Sequence, residues 1–123
     1  MKFNKFIFLP VIGILLFLGL IFLNSSNNYI KTEELILKYS DKIAQNDAEA
    51  IKQSIMSNSY ANVIIELDDN NNIDEILTSL YPFEFKQKES SMYFVGKASL
   101  TGIEKLLQNQ HVIRIYYNFH VSR

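Results

Sequence analysis

The chain has no cysteine, no tryptophan, two prolines and only four glycines in 123 residues. Without cysteine there is no disulfide staple, no thiolate metal site and no lipid-modified bacterial N-terminus, so an exported domain has to stand on its packed core alone. Two of the four glycines, Gly13 and Gly19, fall in an apolar run, and no glycine-rich loop remains to cradle a phosphate. Neither G-x-S-x-G nor H-E-x-x-H occurs, so no catalytic residue is assigned and an enzyme is the weakest of the function classes. Positive charge is short as well. With Lys2 and Lys5 set aside, ten of the twelve Lys and Arg face all thirteen Asp and Glu, a net of about −3. That balance gives no footprint for nucleic acid or anionic lipid.

What the chain does have is a long apolar run near its start. Residues 6–23, FIFLPVIGILLFLGLIFL, carry no charged or hydrogen-bonding side chain. As a helix they span ~27 Å, against a bilayer hydrocarbon core of ~30 Å. Lys2 and Lys5 would also serve as the basic region of a cleavable signal peptide. However, Leu23-Asn24-Ser25 lacks the small-x-small pattern such cleavage requires. The run therefore reads as a single-pass anchor, with secretion following if it is cleaved. The two lysines keep the N-terminus cytoplasmic and the C-terminal domain extracytoplasmic.

Residues 1–28 are accordingly the anchor and its polar exit, NSSNN. Residues 29–60 follow as a helical spacer, in which Ile36, Tyr39, Ile43, Ala50, Ile51 and Ile55 recur at mostly helical spacing. Asn46 and Glu49 form a capping pair inside it, so one long helix and two helices broken near 45–47 are both consistent. At Ala61 the pattern changes. ANVIIEL alternates Val63, Ile65 and Leu67 on one face, and a helix with the stripe Ile73, Ile76, Leu77, Leu80 ends at Pro82. FEFKQK and MYFVGKA make a hairpin with one apolar face, Ser99 caps a helix carrying Ile103, Leu106 and Leu107, and HVIRIYY closes as a strand. The order β-α-β-β-α-β over 61–123 predicts an α+β, ferredoxin-like split sandwich, a four-stranded antiparallel sheet with both helices on one face.

The polar candidates for chemistry are sparse. His111 and His120 flank the last predicted strand with no carboxylate close in sequence, and read as surface or core histidines. Asp68, Asn70 and Asn72 match the first three ligand positions of a calcium loop. Ile73 then stands where that loop needs glycine and Ser79 where it needs glutamate, so a plain polar turn is the better reading and no metal is assigned. Asn24-Ser25-Ser26 matches a glycosylation sequon beside the membrane run, from which nothing follows.

The stretch from YFVGKAS to IEKLLQNQHVIRIYYNFHV resembles the C-terminal half of the propeptides of subtilisin-like serine proteases, a propeptide-inhibitor family. Phe94, Gly96, Lys97, Ser99, Ile103, Leu106, Val112 and Ile115 fit its pattern without a gap, and NVIIEL with the following helix resembles its first strand and helix. The resemblance covers about 61–123. It implies that the sheet packs on a protease surface while the tail Phe119, His120, Val121, Ser122 and Arg123 lies extended in the active-site cleft, with Arg123 in the first specificity pocket and His120 in the fourth. Where that family carries acidic residues that meet helix N-termini of the protease, this chain has Tyr116, Tyr117 and Asn118. The expected partner is a subtilisin-like serine protease, inhibited or assisted in folding, with no cofactor and no small-molecule substrate. The alternative is a non-enzymatic cell-envelope interaction or regulatory module, using Tyr116, Tyr117 and Asn118 as an interface edge.

Overall fold

The computed structural model describes residues 27–68 and 72–120. Residues 27–38 are helical (α1). They are followed by a 3₁₀ turn at Ser40–Lys42, helix α2 at Ala48–Asn58, strand β1 at Tyr60–Leu67 and helix α3 at Ile73–Ser79. Strands β2 (Glu84–Ser90) and β3 (Tyr93–Ser99), helix α4 (Leu100–Gln108) and strand β4 (Val112–Tyr117) complete the order. Two compact units divide between Lys31 and Thr32, and the sheet belongs to the unit that begins at Thr32.

The fold is α+β, with one four-stranded antiparallel sheet in the order β2-β3-β1-β4. Alternation in β1 decides which side is core. Ala61, Val63, Ile65 and Leu67 are at most 1% exposed, whereas Tyr60, Asn62, Ile64 and Glu66 between them are half-buried. Register carries this division across the sheet, because Ile65 pairs with Phe94 on β3 and with Ile115 on β4, both buried. The apolar stripes and faces read from sequence reach the core at Val63, Ile65, Ile76, Leu80, Ile103 and Leu106, and Phe94 and Val112 are buried with them. Ser99 Oγ accepts from Gly102 N at 3.2 Å, so α4 begins on the cap its sequence indicates.

The spacer reading of 29–60 needs correction. Leu35, Ile36, Ile43, Ile51 and Ile55 join the same hydrophobic cluster as the inward strand residues and as Ile76, Ile103, Leu106 and Leu107. The helical periodicity in this segment is therefore the imprint of a buried face on the sheet domain. Its chain does break at 45–47, between the 3₁₀ turn and α2. The Asn46 and Glu49 cap pair is replaced by Asp47 at the N-cap, and Asp47 does not cap α2 with its side chain. The carboxylate accepts instead from Tyr117 N at 2.9 Å, while Ala44 N donates to Ile115 O at 2.9 Å. Segment 43–47 thus covers the outer edge of β4, where unpaired backbone groups would otherwise invite another strand.

Two polar contacts fasten the helices. Lys52 Nζ bonds Glu33 of α1 and sits 3.0 Å from Glu49, and these carboxylates, Glu33 first, hold its ammonium well above the ordinary lysine range. Lys42 Nζ donates to Leu107 O at 3.0 Å and to Asn109 O at 2.7 Å, satisfying carbonyls at the end of α4. Burial pushes the Lys42 pKa down, opposed by the charge of Asp41.

At the other edge, β2 is exposed throughout and irregular in register against β3. The expected apolar face of this hairpin holds for Phe83, which is 4% exposed, but Phe85 is 44% exposed. An edge strand has no neighbour to cover its second flank, and Phe85 lies against Phe94 with ring centroids 5.9 Å apart. Gly96 lies opposite Phe85, and a Cβ there would stand 2.2 Å from Phe83 Cζ and 2.6 Å from Glu84 O.

Candidate functional site

Of the predicted interface residues of β4, Tyr116 lies on the half-buried face of the sheet and Tyr117 on the core side. In β4, Ile115 points into the core, so Tyr116 turns to the open face beside Ile64, its partner across β1. Tyr93 of β3 comes to the same place because it pairs with Glu66, two residues along β1. The Tyr93 and Tyr116 rings meet at 6.1 Å with a tilt of 56°, and Tyr116 Oη donates to Glu66 Oε1 at 3.0 Å. Burial, then the hydrogen bond and charge of Glu66, push the Tyr116 phenol above its ordinary pKa.

Tyr117 turns toward the core and packs partly buried against it. Asn118 N donates to Asn62 O at 2.8 Å, extending the β4 pairing by one bond, and Asn118 Oδ1 accepts from His120 N at 3.1 Å. Phe119 lies edge-on against Tyr117, centroids 4.6 Å apart at 75°, yet remains 65% exposed. His120 is exposed. Val121, Ser122 and Arg123, the remainder of the expected tail, lie outside the described residues, as do the apolar run 6–23 and Asp69, Asn70 and Asn71 of the polar turn.

Together these residues form a groove of about 280 Å³, walled by Ile64, Tyr93, Tyr116, Tyr117 and Phe119. Asp47, Glu89 and His120 complete its lining. Acidic residues are missing from the end of β4 itself, but the fold brings Asp47, Glu66 and Glu89 there from three other segments. Sequence reasoning passed over Ile64, Glu66 and Tyr93, although the alternation that sends Ile65 and Phe94 inward also sends their neighbours outward. Asp47 and Glu89 carry no such signal, since only the pairing of distant segments brings them to the groove.

A second grouping sits at the opposite end of β1. His111 Nδ1 lies 3.2 Å from both carboxylate oxygens of Asp68, and Asp68 N donates to His111 O at 2.9 Å. His111 N in turn donates to Asn109 Oδ1 at 2.8 Å. The carboxylate absent from the local sequence of His111 thus arrives from 43 residues away, and the pair ties the start of β4 to the end of β1. Among the described residues no three His, Asp or Glu side chains gather as a metal site. No described helix is long and apolar enough to cross a membrane. No family model, curated protein or solved structure matches this chain.

Proposed function

We propose that the chain is a membrane-anchored, extracytoplasmic domain that binds a subtilisin-like serine protease, inhibiting it or assisting its folding. Its open sheet face rests on the protease and Phe119 to Arg123 enter the active-site cleft. The strand order β2-β3-β1-β4, with helical connections from β1 to β2 and from β3 to β4, is compatible with the ferredoxin-like split sandwich of the propeptide-inhibitor family that the sequence resembles. One observation carries the reading. The hydrophobic residues of the helices share a single cluster with one face of the sheet, while the other face presents Ile64, Tyr93 and Tyr116 beside the exposed Phe119 that begins the tail.

In this reading the domain supplies no catalytic residue and needs no cofactor. Affinity comes from apolar and aromatic area on the open face and from backbone pairing of the tail in the cleft. The non-enzymatic envelope module remains the second reading, favoured by the same groove, and it uses the face without the tail. Inhibition kinetics separate the two. The full chain in nonionic-detergent micelles should slow hydrolysis of a chromogenic peptide by a subtilisin-like protease, and a chain ending at Asn118 should lose most of that effect. Equal inhibition by both chains, or by neither, would sink the cleft-binding tail and leave the interaction module.

A further inference from the structure

The groove at the end of β4 has a composition that apolar docking alone does not require. Four aromatic rings, those of Tyr93, Tyr116, Tyr117 and Phe119, line it together with the carboxylates of Asp47 and Glu89. The rings stand as two inclined pairs, at 56° and at 75°, so they form corners. Aromatic faces carry negative quadrupole charge and attract cations within about 6 Å of the ring centroid, and carboxylates at the rim add the same sign. A third carboxylate, Glu66, accepts from the Tyr116 hydroxyl at 3.0 Å, but Arg114, its cross-strand partner, reaches the same hydroxyl and offsets its charge, so the negative rim of the groove is that of Asp47 and Glu89. His120 is the groove's basic-type side chain, and it is exposed. A volume of about 280 Å³ is ample for one side chain.

We infer that this groove is a receptor for a single basic side chain, arginine or lysine, presented by the protein partner that docks on the open sheet face. Charge complementarity selects this occupant. An apolar side chain would bury against the rings but leave the carboxylates facing a group unable to bond them, and an acidic one would be repelled. Arginine fits both features, because its planar guanidinium stacks on aromatic faces while its edge donates to carboxylates. The inference rests on the proposed reading of the open face as the docking surface and specifies what the partner must place there.

A peptide pair tests it without any protease, so that its failure and the failure of the inhibitor reading are told apart. The full chain in nonionic-detergent micelles at about pH 8 is titrated with acetylated, amidated Gly-Arg-Gly and with its neutral citrulline counterpart. Aromatic ring protons are followed by NMR. The arginine peptide should shift the resonances of Tyr93, Tyr116 and Phe119 and bind at least about fivefold more tightly than the citrulline peptide. Glu89→Gln, an exposed change on an edge strand, should weaken the arginine peptide by about threefold or more and leave the citrulline peptide unchanged. Tyr93→Leu should remove most of the discrimination. Equal binding of the two peptides, binding of neither, or ring shifts elsewhere would overturn the inference, and the Glu89→Gln arm decides the matter even where Tyr93→Leu fails to fold. Tighter arginine-peptide binding by Arg123→Gln would identify the chain's own terminal residue as the occupant and overturn the assignment to a partner.

Discussion

Gly96 illustrates how one residue is held by its surroundings. Its place opposite Phe85 on β3 leaves no room for a methyl group, because both the Phe83 ring and a backbone carbonyl lie inside contact distance. The ring would have to leave the core or the β2-β3 pairing would have to part. Overpacking of this kind costs about 1–3 kcal/mol, so Gly96→Ala should lower the urea midpoint by a corresponding amount. An unchanged midpoint would mean that Phe83 has an alternative place to go. Tyr116 gives a pH dependence at the same scale. Its phenol has a raised pKa in the folded protein, so the stabilisation it brings is fully present below the unfolded value of about 10 and is lost as pH rises through the folded value. Folding stability should fall as pH rises above about 10 in the parent chain. Tyr116→Phe should fall less steeply there while costing about 1 kcal/mol near neutrality through the lost bond to Glu66. Matching pH slopes for the two proteins would contradict this.

At the scale of elements, α1 and α2 have the most to add. Periodicity alone marks 29–60 as helical, and the same pattern serves a solvated spacer or a helix buried on one side. The distinction lies in the partner surface, which belongs to residues far along the chain. Leu35, Ile36, Ile43, Ile51 and Ile55 are buried against the sheet cluster. At ~1.5–3 kcal/mol for each fully buried side chain they contribute on the order of 10 kcal/mol before the entropy of ordering their segment is set against it. Small domains have only about 5–15 kcal/mol of net stability. A fragment of residues 61–123 should therefore fail to fold, giving no cooperative urea transition and no dispersed amide spectrum, whereas the full chain gives both. Cooperative folding of the fragment would restore the spacer reading. Segment 43–47 has a further role in this picture, because the bonds Ala44 to Ile115 and Tyr117 to Asp47 close the β4 edge and leave β2 as the open one. The register irregularities and the charges Glu84, Lys86, Lys88 and Glu89 on β2 are the usual protection of such an edge.

For the whole molecule, the proposed arrangement joins an apolar N-terminal run to a folded unit that begins at Thr32. The length of the run and the poor fit of Leu23-Asn24-Ser25 to a cleavage site lead to the expectation that the mature protein keeps its first residues and sediments with membranes. Mass spectrometry of the membrane fraction should find the intact mass. A mature N-terminus near Ser25 would replace the anchor with a secreted domain, and the docking proposals for the open face would then apply to a soluble protein.

Much of this architecture was legible in the order of residues, because alternation and helical spacing are local consequences of backbone geometry. Ile65 and Phe94 had to face one way and Ile64 and Tyr93 the other once their strands formed, and Ser99 had to begin a helix. The strand order, the register and the company each side chain keeps are different in kind. They depend on contacts between segments tens of residues apart, which no local pattern encodes. Sequence therefore determined the elements, their inward faces and the presence of aromatic residues at the end of the last strand. Only the tertiary structure decided that Asp47, Glu66 and Glu89 surround those aromatics, that Asp68 meets His111, and that the helical segment before Ala61 belongs to the core, because each depends on which surfaces are buried together.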